Sequence, residues 1–245
     1  MAAAFQELVN FLYPPRCAAC DAPFDISTDY RVCGDCLARV EPVPGPHCEI
    51  CGGPLESVMN EERLCARCIA EPPSFRRAVA IARYRSRAED EPGTLPALLR
   101  RHKYGLDQAV GRALAEYLGD ELPIHPQDYD VVVPIPLHRR RLWWRGFNQS
   151  ALLASEIAAR LALPLDVSVV MRTRFTPPQT ARDHDAGKRN VRRAFMVARP
   201  ARIASKRILL VDDVMTTGAT VDECSRAMLA AGAACVDVFT LARVL

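Results

Sequence analysis

No run of about 18 apolar residues occurs in this 245-residue chain, so the sequence offers no membrane-spanning helix. Met1 to Leu8 contain no Lys or Arg and carry Glu7, so they do not read as a secretory leader, and the cytoplasm follows as the default compartment. Phe5, Leu8, Val9 and Leu12 recur instead at helical spacing and predict a short amphipathic N-terminal helix. Low-complexity tracts are absent, and no internal repeat is present outside the cysteines. Charge of one sign is scarce as well: the formal net charge is only +3 with cysteine counted as neutral. What remains is the composition of an ordinary globular protein, 49% hydrophobic and 25% charged, long enough for one sizeable domain and a small one.

Cysteine is what the chain has in excess. Eight of its ten cysteines fall in four C-x-x-C pairs, Cys17/Cys20, Cys33/Cys36, Cys48/Cys51 and Cys65/Cys68. A C-x-x-C turn presents two thiolates on one side of a tight loop, and two such knuckles complete a tetrahedral S₄ site for zinc. Disulfides require an oxidising compartment that nothing in the chain points to. Redox pairs of the thioredoxin kind belong to a βαβ setting, which these four pairs lack. Two structural zinc ions are therefore expected, with sequential pairing (17, 20, 33, 36 and 48, 51, 65, 68) and interleaved pairing both compatible with the spacing. Eight thiolates remove eight charges and two Zn²⁺ restore four, which takes the net charge from +3 to −1 and leaves no bulk basicity to argue for nucleic acid. Cys224 and Cys235 stand apart and read as small buried hydrophobes.

The first 70 or so residues are rich in Cys, Pro and Gly, as a metal-stapled module should be, and Glu71-Pro72-Pro73-Ser74 reads as a linker. Beyond it strand and helix patterns alternate: strands at 78–84, 131–133, 167–171, 195–198, 208–211 and 235–244, helices at 95–104, 108–118 and 148–161. The expected architecture is an α/β fold, a parallel sheet flanked by helices and preceded by a small Cys-rich double zinc ribbon, with domains at 1–72 and 76–245.

One stretch concentrates the chemistry. Ile208 to Val211 is a short, continuously apolar run of the kind buried in a parallel sheet, and it ends in Asp212 and Asp213. Thr216, Thr217, Gly218, Ala219 and Thr220 follow, a turn whose backbone N–H groups can face inward with Gly218 admitting positive φ. The helix beginning near Ala219 points its positive end at the same place. An anion cradle beside paired carboxylates, at the carboxyl end of a strand, suits a phosphorylated sugar. A second strand end carries Pro134-Ile135-Pro136, followed by Arg139, Arg140, Arg141 and Arg145 with Trp143 and Trp144 among them. This loop should border the same crevice, where Arg145 would grip phosphate, while Arg139 to Arg141 suit either phosphate or single-stranded nucleic acid. A bland alternative makes it a solvated basic loop pinned to the body by the tryptophans. The long polar segment from Arg172 to Val191 reads as either a functional lid or a disordered loop, and a closing basic lid suits the chemistry.

The Arg207–Thr220 stretch resembles the 13-residue signature of type I phosphoribosyltransferases: four apolar residues, two acids, two apolar residues, then Thr-Thr-Gly-x-Thr. That resemblance implies that Asp212 and Asp213 bond the ribose hydroxyls of phosphoribosyl pyrophosphate (PRPP), that Thr216 to Thr220 hold its 5′-phosphate, and that Mg²⁺ accompanies the pyrophosphate. Together with Arg145-Gly146-Phe147-Asn148-Gln149, the Thr176-to-Thr180 loop containing Gln179, and Asn190-Val191 with Ala194-Phe195, the chain is similar throughout to ComF/GntX-type proteins. The resemblance implies a lid that includes Gln179, with Lys188 and Arg189 as its cations where Gly187 replaces an arginine usual in the family. It further implies a setting in competence and DNA uptake or a nucleotide-related one, and two readings of function: a pentosyl-transferring enzyme acting on an unidentified acceptor, or a non-catalytic module that senses PRPP or a nucleotide and binds single-stranded DNA or a helicase partner. No general base or purine pocket stands out in the sequence, and Lys103 is a secondary candidate for stabilising the leaving pyrophosphate.

Overall fold

The computed structural model describes residues 16–17, 19–23, 32–55, 63–85, 95–104, 123–175 and 191–245. The expected N-terminal helix, the helix at 108–118 and the lid residues Gln179, Lys188 and Arg189 lie outside them. Among the described residues no helix is long and apolar enough to cross a membrane.

Four strands form a parallel sheet in the order β1 (Ala78–Tyr84), β6 (Cys235–Val244), β5 (Arg207–Met215), β2 (Val131–Pro134). The central strands read as unbroken apolar runs because both faces are covered. Leu209, Val211, Phe239 and Leu241 pack with Leu98 and Leu99 of helix α3 (Leu95–Tyr104) and Leu153 and Ile157 of helix α5 (Gln149–Leu161). On the other face Ile208, Leu210, Val236 and Val238 pack with Val221, Cys224 and Met228 of helix α6 (Ala219–Ala230). Two short helices, α1 (Gly34–Ala38) and α2 (Ala66–Ala70), belong to the cysteine knuckles, and α4 (Arg139–Arg145) follows β2.

Two strands differ most from the sequence reading. Strand β5 continues through both aspartates to Met215, so the carboxylates sit inside its last turn of pairing, with Asp212 opposite Thr240. The strand expected at 167–171 starts only at Val170, because Asp166 accepts bonds from Ser168 N and Oγ, at 2.9 and 2.8 Å, and bends the chain there. This strand β3 (Val170–Arg172) also leaves the main sheet and pairs antiparallel with β4 (Phe195–Val197), Val170 against Val197, each burying one face while Met171 and Met196 stay exposed. Cys224 is fully buried as expected, whereas Cys235 is only half-buried.

At the amino end of the sheet, Asp237 is buried and accepts bonds from Arg76 Nε (2.9 Å), Arg76 Nη2 (2.8 Å), Arg77 Nε (2.9 Å) and Tyr129 Oη (2.9 Å). Burial pushes the Asp237 carboxyl up, but the Arg76 and Tyr129 bonds outweigh it and hold it below the usual carboxylate range. Its folded-state value thus lies under the unfolded one near 3.9, so its contribution is present above that pH and disappears as pH falls through the folded value. Asp237→Asn should lower the unfolding free energy at pH 7 by about 2–3 kcal/mol, a cost typical of charge-assisted bonds. Urea titrations at pH 7 and pH 3 check it; identical midpoints for both proteins at pH 7 would sink the assignment.

Candidate functional site

The four C-x-x-C pairs close into two clusters by sequential grouping: the sulfurs of Cys17, Cys20, Cys33 and Cys36 lie within 4.8 Å of one another, as do those of Cys48, Cys51, Cys65 and Cys68. All ten cysteines are free thiols. A tetrahedron with Zn–S bonds near 2.3 Å has S···S edges of about 3.8 Å. The sulfurs of Cys17 and Cys36 are 3.8 Å apart, those of Cys20 and Cys33 3.8 Å, and those of Cys51 and Cys65 3.7 Å, so both donor sets fit a structural zinc ion.

The two ribbons repeat one build. Each opens on a knuckle closed by an antiparallel bridge, Arg16 to Pro23 and His47 to Pro54, with the residue after the second cysteine in the left-handed region (Asp21 φ 63°, Gly52 φ 66°). Each second knuckle starts a five-residue helix, α1 after Cys33 and α2 after Cys65. Two sulfurs of each ribbon respond alike. Burial pushes Cys36 and Cys68 up, and the neighbouring sulfurs add to that. Cys17 and Cys48 are also pushed up by burial, yet end near 7 because backbone N–H groups (Cys33, Cys20 and Ala19; Cys51, Cys65 and Ile50) point at their sulfurs. Four thiolates packed this closely need a cation to hold them charged.

Both ribbons are built into the body. Cys17, Ala19, Val32, Cys36 and Val40 of the first belong to the core beneath α3 and α5. In the second, Gly52 lies so close to β1 that a Cβ there would stand 2.4 Å from the Ala78 carbonyl oxygen. Arg243, buried on β6, donates through Nη1 to the Cys51 carbonyl, and its Nη2 lies 3.7 Å from the Cys51 sulfur.

At the carboxyl edge of the sheet, Asp212 is buried and Asp213 half-buried. Oδ1 of Asp212 accepts from Ser150 Oγ (2.8 Å) and from Asp213 N (3.0 Å), while Oδ1 of Asp213 accepts from Val214 N (2.8 Å). These bonds fix both carboxylates. Thr216, Thr217 and Gly218 form the turn, Gly218 adopts φ 82°, and α6 begins at Ala219, whose N–H donates to Thr217 Oγ1 (3.3 Å). Thr220 is half-buried in the first turn of that helix.

The segment Pro134-Ile135-Pro136 lies beside this edge: Ile135 N donates to Val211 O (2.9 Å), one residue before Asp212. Asn148 caps α5 by accepting from Ser150 N (3.2 Å) and donates through Nδ2 to Ile135 O (3.0 Å), which brings Ser150 to Asp212. The basic stretch expected as a loop is instead the helix α4, capped by His138 Nδ1, which accepts from Arg140 N (3.2 Å), and closed by Gly146 at φ 78°. Trp143 and Trp144 are 88% and 70% exposed. With Arg139 to Arg141, Arg145 and Phe175 they line a cleft of about 830 Å³.

Three residues that sequence reasoning did not single out belong to this edge. Ser150 orients Asp212. Arg172, at the end of β3, lies over the Phe195 ring (5.4 Å); burial and then the Arg141 charge push its guanidinium down, and Asp212 opposes them. Arg67, from the second ribbon, donates through Nη1 to Thr217 O (2.8 Å). Arg145 closes α4 half-buried, and the charges of Arg141 and Asp212 both act on Arg172, in opposite directions.

A family model for a double zinc ribbon domain matches residues 8–69, and one for a phosphoribosyl transferase domain matches residues 148–245. DNA utilization protein YhgH of Escherichia coli (strain K12) is 32% identical over 243 residues, covering 95% of this chain and 98% of that protein. Competence protein F of Haemophilus influenzae is 29% identical over 242 residues, covering 96% of this chain and all (100%) of that protein. Among solved structures, glutamine PRPP amidotransferase from B. subtilis, complexed with ADP and GMP, aligns with 53% of this chain and 25% of its own at 19% identity and a TM-score of 0.35. End-to-end identity above 30%, with a double zinc ribbon ahead of a phosphoribosyltransferase domain, places this chain in the ComF family.

Proposed function

We propose that the protein binds PRPP or a closely related phosphorylated ribose, with Mg²⁺ carried on the pyrophosphate, and transfers the phosphoribosyl group between pyrophosphate and an acceptor, in the DNA-uptake setting that the names of its relatives suggest. The observation that carries this reading is the continuity of β5, turn and helix: two immobilised carboxylates followed at once by an αL-glycine turn and a helix N-terminus. Asp212 and Asp213 would take the two ribose hydroxyls. The turn from Thr216 to Thr220 would hold the 5′-phosphate. Pro134 to Pro136 with Arg145, joined by Arg141 and Arg172, would receive the pyrophosphate, and Gln179, Lys188 and Arg189 would close over it. In the transfer the C1–O bond to pyrophosphate breaks, the electron pair leaves with pyrophosphate, and the acceptor's lone pair bonds C1 as its proton is released. Calorimetric titration of the zinc-loaded protein with PRPP and Mg²⁺ tests the first step, with release of pyrophosphate in an acceptor screen testing the second. Absence of binding heat for PRPP would end this reading.

The exposed tryptophans favour a second reading, a non-catalytic module that senses PRPP and binds single-stranded DNA or a helicase partner. Flat rings in water beside four arginines make a stacking platform for unpaired bases. Trp143→Ala with Trp144→Ala should weaken binding of a labelled oligothymidine by roughly 10-fold or more, at about 1–3 kcal/mol per stacked base, while leaving the PRPP titration unchanged. Unchanged oligothymidine affinity in fluorescence anisotropy would remove this surface from consideration.

A further inference from the structure

The second ribbon reaches the candidate phosphate turn from behind. Arg67 Nη1 donates to Thr217 O at 2.8 Å, and a Cβ on Gly218 would lie 4.0 Å from Arg67 Nη2. The peptide between Thr217 and Gly218 is planar and trans, so its N–H points opposite to its C=O. A guanidinium that holds the Thr217 carbonyl toward the ribbon therefore aims the Gly218 N–H away from the ribbon.

That orientation would not be fixed by the turn alone. Glycine takes positive and negative φ about equally, so the Thr217–Gly218 peptide of an isolated loop can flip between turn types at little cost. The flipped peptide would present a carbonyl oxygen where an anion is to bind, which repels it.

The repeated build does not itself call for an arginine at this place. In the repeated build, Asp35 of the first ribbon occupies the same place in α1, two residues past Cys33, as Arg67 does in α2, two past Cys65. Yet the ribbon holds Arg67 firmly. Cys65 and Cys68, on either side of it, both belong to the second zinc cluster. Glu71 N closes the turn onto Arg67 O at 2.8 Å, Ser74 N then donates to Asp222 Oδ1 of α6 at 2.6 Å, and the other knuckle is held by Arg243.

We propose that Arg67 is a positioning residue for the ligand's 5′-phosphate: it fixes the Thr217–Gly218 peptide so that the Gly218 N–H faces the anion, and thereby couples the second zinc site to ribose-phosphate affinity. This rests on the reading of the turn as a phosphate cradle. It assigns to one ribbon of the two a share in the ligand site.

The test uses full-length Arg67→Ala and Arg67→Lys, each checked for two zinc ions per chain by chelator release and for an unchanged unfolding midpoint. The probes are PRPP with Mg²⁺, ribose 5-phosphate, and pyrophosphate with Mg²⁺ alone. Arg67→Ala should weaken PRPP and ribose 5-phosphate about 10-fold or more, leave pyrophosphate binding unchanged, and speed amide exchange across Met215–Asp222 without any ligand. Arg67→Lys, which restores one donor, should recover most of the affinity and of the protection. Wild-type affinity for ribose 5-phosphate in a zinc-replete Arg67→Ala overturns the proposal and leaves the PRPP reading standing. So does an equal loss for pyrophosphate, which would mark a general structural defect. If the wild type binds neither PRPP nor ribose 5-phosphate, the cradle reading falls and the phosphate role of Arg67 with it.

Discussion

Stripping zinc with a strong chelator is expected to lower the unfolding midpoint by about 10–20 °C. The basis is packing as much as coordination. Zinc binding by isolated finger peptides is worth about 10–16 kcal/mol at neutral pH, most of which serves to fold the peptide itself. In this chain the ribbons also complete the body. Cys17, Ala19, Val32, Cys36 and Val40 share a core with Leu98, Leu153 and Phe239, so unfolding the first ribbon opens one face of the sheet. Loss of the second ribbon removes Cys51, whose carbonyl and sulfur Arg243 contacts from the strand next to β5, and breaking the bonds of a buried cation costs about 3–5 kcal/mol. A loss of about 5 kcal/mol in a chain of this size corresponds to the stated shift at about 2–4 °C per kcal/mol. Circular dichroism melts with and without chelator, with zinc counted in parallel, provide the check. Coincident melts would mean that the ribbons fold as independent appendages, as the Pro72-Pro73 linker by itself suggested.

The zinc clusters and the Asp–Asp–turn unit were legible in the sequence because each is local. Two cysteines three residues apart must form a knuckle, and a strand that ends in Asp-Asp and leads into Thr-Thr-Gly must turn before the next helix. What pairs with what over longer distances was not legible. Arg67 and Thr217 are 150 residues apart and Ser150 and Asp212 are 62 apart, with no residue pattern linking either pair. The one available signal for Arg67 was the mismatch with Asp35 between two otherwise equivalent ribbons. Helix α4 escaped notice for a different reason. Its seven residues carry no apolar stripe, since Trp143, Trp144 and Leu142 all face solvent, and prolines before it and Gly146 after it suggest a loop. Strand β3 was misplaced because Val167, Val169 and Val170 favour a strand, while the bend is imposed by side-chain bonds of Asp166 and Ser168.

Asp212→Asn with Asp213→Asn is expected to abolish PRPP binding, an effect of 100-fold at the least. Each carboxylate would accept from a ribose hydroxyl, and bonds to charged acceptors contribute about 1.5–3 kcal/mol each, so losing two multiplies the dissociation constant by roughly 10²–10⁴. The amides substituted retain size and shape, but each presents one acceptor and one donor where there were two acceptors. For Asp212 the change has one direction: Ser150 Oγ and the Asp213 N–H both donate to Oδ1, so an amide that keeps its oxygen there must put its NH₂ where the other carboxylate oxygen stood. Replacing Ser150 with Ala separates that contribution. It keeps the charge but removes the 2.8 Å bond that holds Asp212 in place, so it should cost a smaller factor, roughly 5- to 10-fold, with the zinc content intact. Asp212 also acts on Arg172, whose buried guanidinium is opposed by Arg141 and supported by Asp212. The double variant thus removes the Asp212 charge that favours the protonated state of Arg172, and the unfolding free energy should fall along with affinity. Titration with ribose 5-phosphate distinguishes the two causes, because a folded double variant that still binds the 5′-phosphate weakly has lost the hydroxyl contacts alone. Undiminished PRPP affinity in a folded, zinc-loaded double variant would remove the aspartates from the site and leave the turn at Thr216 to Thr220 as an anion cradle without a sugar.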